Sequence, residues 1–385
     1  MVRLVLMSFL LLLSFLNIFR APVNFLWYLS IVTSEFCWIF LIALGAVCLL
    51  STVHVKYAVL THCITLAAFL LFAFPLIGAY VLSNRTERNF RLAFSTPATG
   101  ESAFSFTRII SGINSPQAPF ETLVYDENHA LALDFYPSLI KGIRPCVIVI
   151  HGGSWAGGNK EQLPELNSYL AKKGYHVAAI NYRLAPENIY PAPTRDVVSA
   201  INYLRIHADA LSLDSTNFVL LGRSAGAQIA LDAAYTLKDL PVRGVISYYG
   251  PTDMVWGYAN PANRLVLDSK KIMEDYLGGT YAQVPDQYIQ SSATEKVKQG
   301  LVPTLLIQGK NDCLVAYDHC NRLDKKLTEF GITHVVLRLP WATHGCDFSL
   351  NGPSGQLATT ATAAFLQNIF KKNSTVYYYR VPSGH

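Results

Sequence analysis

The chain has 385 residues, 51% of them hydrophobic and 15% charged, with a net charge of +5 at pH 7. The charge is modest and no run of Lys and Arg is interleaved with aromatic residues, so nucleic acid is not an expected partner. The apolar excess is concentrated in the first 82 residues, which divides the chain into a membrane part and an ordinary globular part. The seven cysteines form no C-x-x-C pair and no Cys/His metal spacing, which argues against a structural zinc site.

Three apolar stretches open the sequence, at 4–19, 36–53 and 57–82. The last two contain no Asp, Glu, Lys or Arg and are long enough, at about 20 residues for a hydrocarbon core, to cross it as helices. The first is shorter and reads as an uncleaved third span or an interfacial helix. Residues 1–82 are therefore expected to form a membrane region of two to three transmembrane helices, making this an integral membrane protein. Arg85, Arg88 and Arg91 after the last span lean towards a cytoplasmic globular domain, while Arg3 and Lys56 pull the other way. Spans without charge serve more simply as an anchor than as a transport path.

Residues 83–118 are polar, with Ser, Thr, Pro and Gly, and read as a linker carrying at most one short helix. From 119 to 372 strand and helix signals alternate. Strand signals fall at 122–125, 130–135, 146–150, 177–182, 218–221, 244–249, 304–308 and 335–339. Helical spacing appears at 162–172, 194–206, 225–237, 317–330 and 355–370. This alternation predicts an α/β class domain, a mostly parallel sheet with helices on both faces. The turn at 126–128 between the first two strands predicts an antiparallel hairpin at one edge. The longest interruption, 251–299, is either a lid over the site or a plain surface excursion. Residues 373–385 read as a tail.

The chemistry centres on Gly222-Arg-Ser224-Ala-Gly226, between an apolar strand and an alanine-rich helix. A serine between two glycines at such a junction has the pattern of a nucleophile elbow. A serine hydroxyl needs a general base, and the base needs an orienting carboxylate. Of the ten histidines, only His344 lies in a loop just past the carboxyl end of an expected strand. Asp312, in Gln308-Gly-Lys-Asn-Asp312, has the matching position among the acids. Ser224, Asp312 and His344 are the candidate nucleophile, acid and base, in the chain order of the α/β-hydrolases. His151-Gly-Gly-Ser-Trp155 follows the buried strand at 146–150. Its glycines let backbone N–H groups approach a substrate, so Gly152 and Gly153, with the N–H of Ala225, are the candidate oxyanion hole. His151 reads as a brace for that loop.

His151-Gly-Gly-Ser-Trp, Asn181-Tyr-Arg-Leu-Ala-Pro-Glu187 and Gly222-Arg-Ser-Ala-Gly226 together resemble the esterase/lipase branch of the α/β-hydrolases, over about residues 120–371. That branch includes hormone-sensitive-lipase-like and prenylcysteine-methylesterase-like carboxylesterases. The resemblance implies an α/β-hydrolase fold, preceded here by the membrane helices, with Ser224, Asp312 and His344 as the triad. It also implies structural roles for Tyr182, Arg183 and Asp196, Arg183 pairing with a carboxylate beneath the site. Ser154 stands where the lipase-like pattern has a third glycine, and Arg223 where it has an acidic residue. The expectation is a membrane-anchored serine hydrolase of carboxylic esters that needs no metal or organic cofactor. Its partners are an ester substrate, small or lipid-like, and the bilayer. An amidase or formamidase on the same triad and an inactive membrane scaffold are the alternatives. The membrane segments lie outside the shared domain and carry no expectation about chemistry.

Overall fold

The continuous apolar runs form the centre of an eight-stranded sheet in which all but the first two strand pairings are parallel. The structure, a computed structural model, describes residues 2–49, 57–94, 102–112, 116–236 and 239–371. The tail 373–385 and the end of the second apolar stretch, 50–53, lie outside the described residues. The chain opens with α1 (Val2–Ser14), a 3-10 turn (Phe15–Asn17), α2 (Asn24–Glu35), α3 (Cys37–Leu49) and α4 (Ala58–Phe94). There follow α5 (Arg108–Ser111), β1 (Glu121–Asp126), β2 (Leu131–Tyr136), β3 (Arg144–Ile150), α6 (Pro164–Lys172) and β4 (His176–Ile180). Next come α7 (Ala192–Ile206), β5 (Leu213–Arg223), α8 (Ala225–Thr236) and β6 (Val242–Tyr248). The stretch at 251–299 folds as four short helices, α9 (Met254–Ala259), α10 (Ser269–Leu277), α11 (Pro285–Ser291) and α12 (Ala293–Lys296). The chain then runs through β7 (Thr304–Gly309), α13 (Asp318–Glu329), β8 (His334–Leu339) and α14 (Pro353–Lys371).

Strand order is β1-β2-β4-β3-β5-β6-β7-β8. The antiparallel strands at the β1 edge are those expected from the opening turn. The alternation of side chains along a strand divides the core in two. Cys146, Ile148 and Ile150 face a cluster that includes α7 and α8, while Val147 and Val149 face one that includes α6 and α14. In β3 and β5 the paired residues Ile150 and Gly222 end level, and in β7 and β8 so do Gly309 and Leu339. Carboxyl ends that finish level gather their following loops over one edge of the sheet, where open α/β sheets bind ligands.

The N-terminal region departs from the expected sequence of separate spans and linker. Among the described residues one helix, α4, is long and apolar enough to cross a membrane. Helices α2 and α3 pass the same test only as a pair, bent by 81°. At about 1.5 Å per residue, the 13 residues of α1 reach about 20 Å, short of a hydrocarbon core of ~30 Å. Helix α4 does not stop at residue 82. It continues through the polar stretch to Phe94, with Pro75 inside it. Before Pro75 its Ala68 and Phe72 pack with Met7, Leu10 and Leu44 in a small helical bundle. After Pro75 it turns a buried stripe, Leu76, Ala79, Ser83, Thr86, Phe90 and Phe94, to the sheet and α14. The stripe recurs every three to four residues, so the polar composition of 83–94 hides one apolar helix face. Gly78 fits because Trp341 lies against it, and an added Cβ would sit 2.4 Å from the indole.

Candidate active site

Ser224 sits where β5 gives way to α8, at a φ of +52°. This is a costly conformation for a residue with a Cβ, and its neighbours make it possible. An added Cβ on Gly222 would lie 2.1 Å from the Gly226 carbonyl oxygen, and one on Gly226 would lie 2.2 Å from that of Ile150. The flanking glycines therefore admit the sharp turn and let it press against the end of β3. Because α8 begins at Ala225, the free N–H groups and positive dipole end of that helix lie beside the serine.

The structure brings Ser224, His344 and Asp312 into one hydrogen-bonded line. His344 Nε2 lies 2.9 Å from Ser224 Oγ, and His344 Nδ1 lies 2.8 Å from Asp312 Oδ2. An ionised carboxylate only accepts, so Nδ1 carries the proton and Nε2 is left to accept from the serine hydroxyl. Asp312 is itself held by the N–H groups of Leu314 and Val315, both at 2.9 Å, and by Gln308 Nε2 at 2.8 Å. The loop that carries His344 folds back over β7. A Cβ at Gly309 would meet the Ala342 carbonyl oxygen at 2.3 Å, so glycine there permits the crossing.

The candidate oxyanion loop follows β3. Gly153 takes a φ of +127°, and a Cβ on it would collide with the Gly157 carbonyl at 2.0 Å. The expected donors divide. The N–H of Gly152 is donated to Gln162 Oε1 at 2.8 Å and is committed there. The N–H groups of Gly153, Ser154 and Ala225 have no hydrogen-bond partner among the described residues. Ser154 and Ala225 line the cavity in front of Ser224. The Gly152 N–H thus points to Gln162 rather than to the cavity, which Ser154 lines two residues on. The claim of Gln162 on Gly152, ten residues upstream, had no local signal in the sequence.

The cavity holds about 60 Å³. Its walls are Trp155 beside Ser224, Leu267, Ile272 and Met273 from the 251–299 insertion, and Leu314 and Val315 from the loop of Asp312. His319, at the start of α13, also lines it. Its Nδ1 accepts from the backbone N–H groups of Thr252 and Asp253. Burial pushes its pKa down to about 4, and does the same to His151. His151 stacks on Tyr182 at 4.3 Å and donates from Nδ1 to the Gly152 carbonyl, a neutral brace rather than a base. Arg183 pairs with buried Asp196 through Nη2 at 2.6 Å and Nε at 2.9 Å, as the resemblance implied. All seven cysteines are free, so Cys313 and Cys346 do not pair although their loops meet. Among the described residues no cluster of three His, Cys, Asp or Glu side chains could hold a metal ion.

Arg223, which departs from the expected acidic position, has a partner that the sequence did not reveal. Its Nε lies 2.5 Å from Asp347 Oδ2, with both side chains 1% exposed. The hydroxyl of Tyr249 donates to the other Asp347 oxygen at 2.5 Å, and the Tyr249 ring packs 4.5 Å from that of His344. The pair ties the residue before Ser224 to the loop of the candidate base.

The fold is that of the α/β-hydrolases. Among solved structures it resembles the bacterial heroin esterase, with a TM-score of 0.59 at 20% identity over 75% of this chain and 93% of that one. It also resembles an esterase from Pyrobaculum calidifontis, with a TM-score of 0.57 at 20% identity over 76% of this chain and 94% of that one. Residues 133–327, half of the chain, match the BD-FAE family, and the chain belongs to it. Its sequence relatives include the esterase LipC of Mycobacterium tuberculosis, 27% identical over 244 residues, or 60% of each chain. The probable carboxylic ester hydrolase LipM of the same organism is 27% identical over 248 residues, 60% of this chain and 56% of that one. The chain thus spans less than two thirds of the length of these relatives.

Two outcomes are expected. Asp347→Asn leaves Arg223 buried without its counter-charge, at a cost of about 3–5 kcal/mol. Thermal unfolding in detergent should show Tm lower by roughly 5–15 °C, with most of the loss recovered when Arg223→Met and Asp347→Leu are combined. His151 and His319 are neutral when folded, with pKa values near 4 against an ordinary 6.5, and must take up protons on unfolding in mild acid. Their contribution to stability is present above pH 6.5 and is lost as the pH falls towards 4. Tm should therefore decline through that window, with a flatter slope in His319→Gln.

Proposed function

We propose that this protein is a membrane-anchored serine hydrolase of carboxylic esters. The observation that carries the reading is the line from Ser224 Oγ through His344 to Asp312, begun by a serine held at a positive φ on a helix N-terminus. Membership of the BD-FAE family and relatives named as esterases support the choice of ester bonds.

Ser224 attacks the ester carbonyl as its proton passes to Nε2 of His344, and Asp312 stabilises the imidazolium that forms. The carbonyl oxygen becomes an anion facing the N–H groups of Gly153, Ser154 and Ala225, donors that need no reorientation. His344 then protonates the departing alkoxide. Water, deprotonated by the same imidazole, releases the acid from the acyl-enzyme. The 251–299 insertion acts as a cap whose apolar side chains close the acyl side. A cavity of about 60 Å³ favours a short acyl group, so the apolar bulk of a lipid-borne substrate lies in its alcohol part.

The anchoring is supported by the apolar exterior of the N-terminal bundle. Val5, Phe9, Leu12, Ile42, Leu66 and Leu70 are all more than half exposed, large apolar side chains of the kind that lipid covers. The hydrolase domain at 119–372 is fixed to this bundle by α4.

The test uses detergent-solubilised protein. The wild type should label with a fluorophosphonate probe and hydrolyse p-nitrophenyl acetate and butyrate, with kcat/KM falling at least about tenfold for octanoate and longer esters. Ser224→Ala should abolish labelling and lower kcat by about 10⁴-fold or more. A folded wild type that neither labels nor turns over these esters would sink the proposal.

A further inference from the structure

The family match begins at residue 133, yet the described structure brings a segment far upstream of it, α2, against the candidate base. Helix α2 presents Trp27, Ile31 and Glu35, spaced by four and therefore on one face, to the loop that follows β8. Trp27 Nε1 donates to the carbonyl oxygen of His344 at 3.0 Å, and its ring meets the imidazole edge-on at 6.3 Å. One turn on, Ile31 lies against Gly345, where an added Cβ would come within 3.3 Å of it. A further turn on, Glu35 Oε2 accepts from the N–H groups of Ser354 and Gly355 at 3.0 and 3.4 Å, at the start of α14. By accepting from these N–H groups the side chain caps the first turn of α14 and fixes where the base loop ends.

The first residue of α2 and the chain before it reach the other two parts of the site. Asn311, next to Asp312, donates from Nδ2 to the carbonyl of Asn17 at 3.1 Å. Asn24 bonds the insertion twice, from its N–H to Leu265 at 3.0 Å and from Nδ2 to Val266 at 3.1 Å. Asn263 returns a bond to the Pro22 carbonyl at 3.0 Å. Leu267, just beyond, lines the cavity.

We propose that the segment from Asn17 to Glu35 is a working part of the active site, with Trp27 as the positioning residue of His344 and Asn24 as the tether of the cap. The inference rests on the reading of Ser224, His344 and Asp312 as a hydrolytic site. Its physical basis is that the imidazole is flanked by two rings, Tyr249 at 4.5 Å and Trp27 at 6.3 Å. Only Trp27 also holds the backbone of His344. With that bond gone, the loop can rotate the imidazole out of line with both Ser224 and Asp312, and catalysis demands that line within fractions of an ångström.

The experiment compares full-length wild type, Trp27→Phe and Asn24→Ala in detergent. Trp27→Phe keeps an aromatic ring and removes the N–H donor. Its kcat on p-nitrophenyl acetate should fall about tenfold with KM within twofold. The rate of fluorophosphonate labelling should fall by the same factor, because both measurements read the Ser224–His344 pair. The acidic limb of its pH–kcat/KM profile should move to lower pH, since an imidazole drawn away from a carboxylate is less basic. Asn24→Ala should raise KM severalfold, more for butyrate than for acetate, with kcat nearly kept. Asn24 is exposed and Trp27 half-buried, so both variants should fold, as Tm will show. If Trp27→Phe does not fold, the KM of Asn24→Ala decides. Wild-type values of kcat, KM and labelling rate in the folded variants would overturn the proposal and leave α2 as packing alone. A wild type that does not label at all would instead overturn the hydrolytic reading beneath it.

Discussion

The arrangement depends on one geometric demand, that an imidazole carried past the end of β8 meet a serine at the end of β5. Two strands, β6 and β7, lie between them. Three strand spacings of about 4.8 Å put the two chain ends about 14 Å apart, yet His344 Nε2 comes to 2.9 Å from Ser224 Oγ. The chain after β8 must therefore run back across the top of the sheet, largely buried. A buried loop has no ladder of its own to satisfy its polar groups. Its neighbours supply the bonds instead: the N–H of Asn311 to the Ala342 carbonyl at 3.0 Å, Asn311 Nδ2 to that of Trp341 at 3.4 Å, and Trp27 to that of His344.

The buried Arg223–Asp347 pair belongs to the same solution. Removing two charges from water costs more than a hydrophobic contact of equal volume would, so such a pair is weak evidence for stability. What the pair adds here is direction. The Nε of Arg223, the last residue of β5, donates to one oxygen of a carboxylate three residues past His344, and Tyr249 donates to the other. The aromatic face of Tyr248, 5.7 Å from the guanidinium carbon, adds a favourable contact for the cation. Tyr249 also contacts the imidazole ring, so the turn of Ser224 and the loop of His344 share one hydrogen-bonded brace.

What the amino-acid order revealed and what it concealed separate along the distance between partners. The elbow at 222–226, the glycines after β3 and the alternation of β3 to β8 are local patterns. A turn between glycines and a run of aliphatic residues each carry their own structural consequence, so they were legible. Asp312 and His344 were legible for a related reason, since loops at the carboxyl ends of strands gather over one edge. The partner of Arg223 is 124 positions away and that of Trp27 is 317 positions away, and no local rule pairs them. Gln162 lies only ten residues from Gly152, but the bond depends on how the oxyanion loop curls. In residues 83–94 composition misled, because charged side chains on one helix face outnumbered the buried Phe90 and Phe94 on the other. Periodicity carried the information that composition hid.

Helix α4 gives these contacts a mechanical consequence. It passes from the bundle of α1 and α3 to the hydrolase sheet without a break in its helical run, 37 residues or about 55 Å. A flexible tether would let the catalytic domain tumble over a bilayer. A helix packed at both ends fixes its orientation, and the packing of Gly78 on Trp341 locks that orientation close to the base loop. Phe25, Tyr28 and Leu265 stand more than half exposed around the contact between α2 and the insertion. With the bundle in lipid as proposed, this apolar collar adjoins the same segment that bonds the cap and the base. The bundle, the cap and the imidazole are then joined through one short segment, by the bonds of Asn24 to the insertion and of Trp27 to His344.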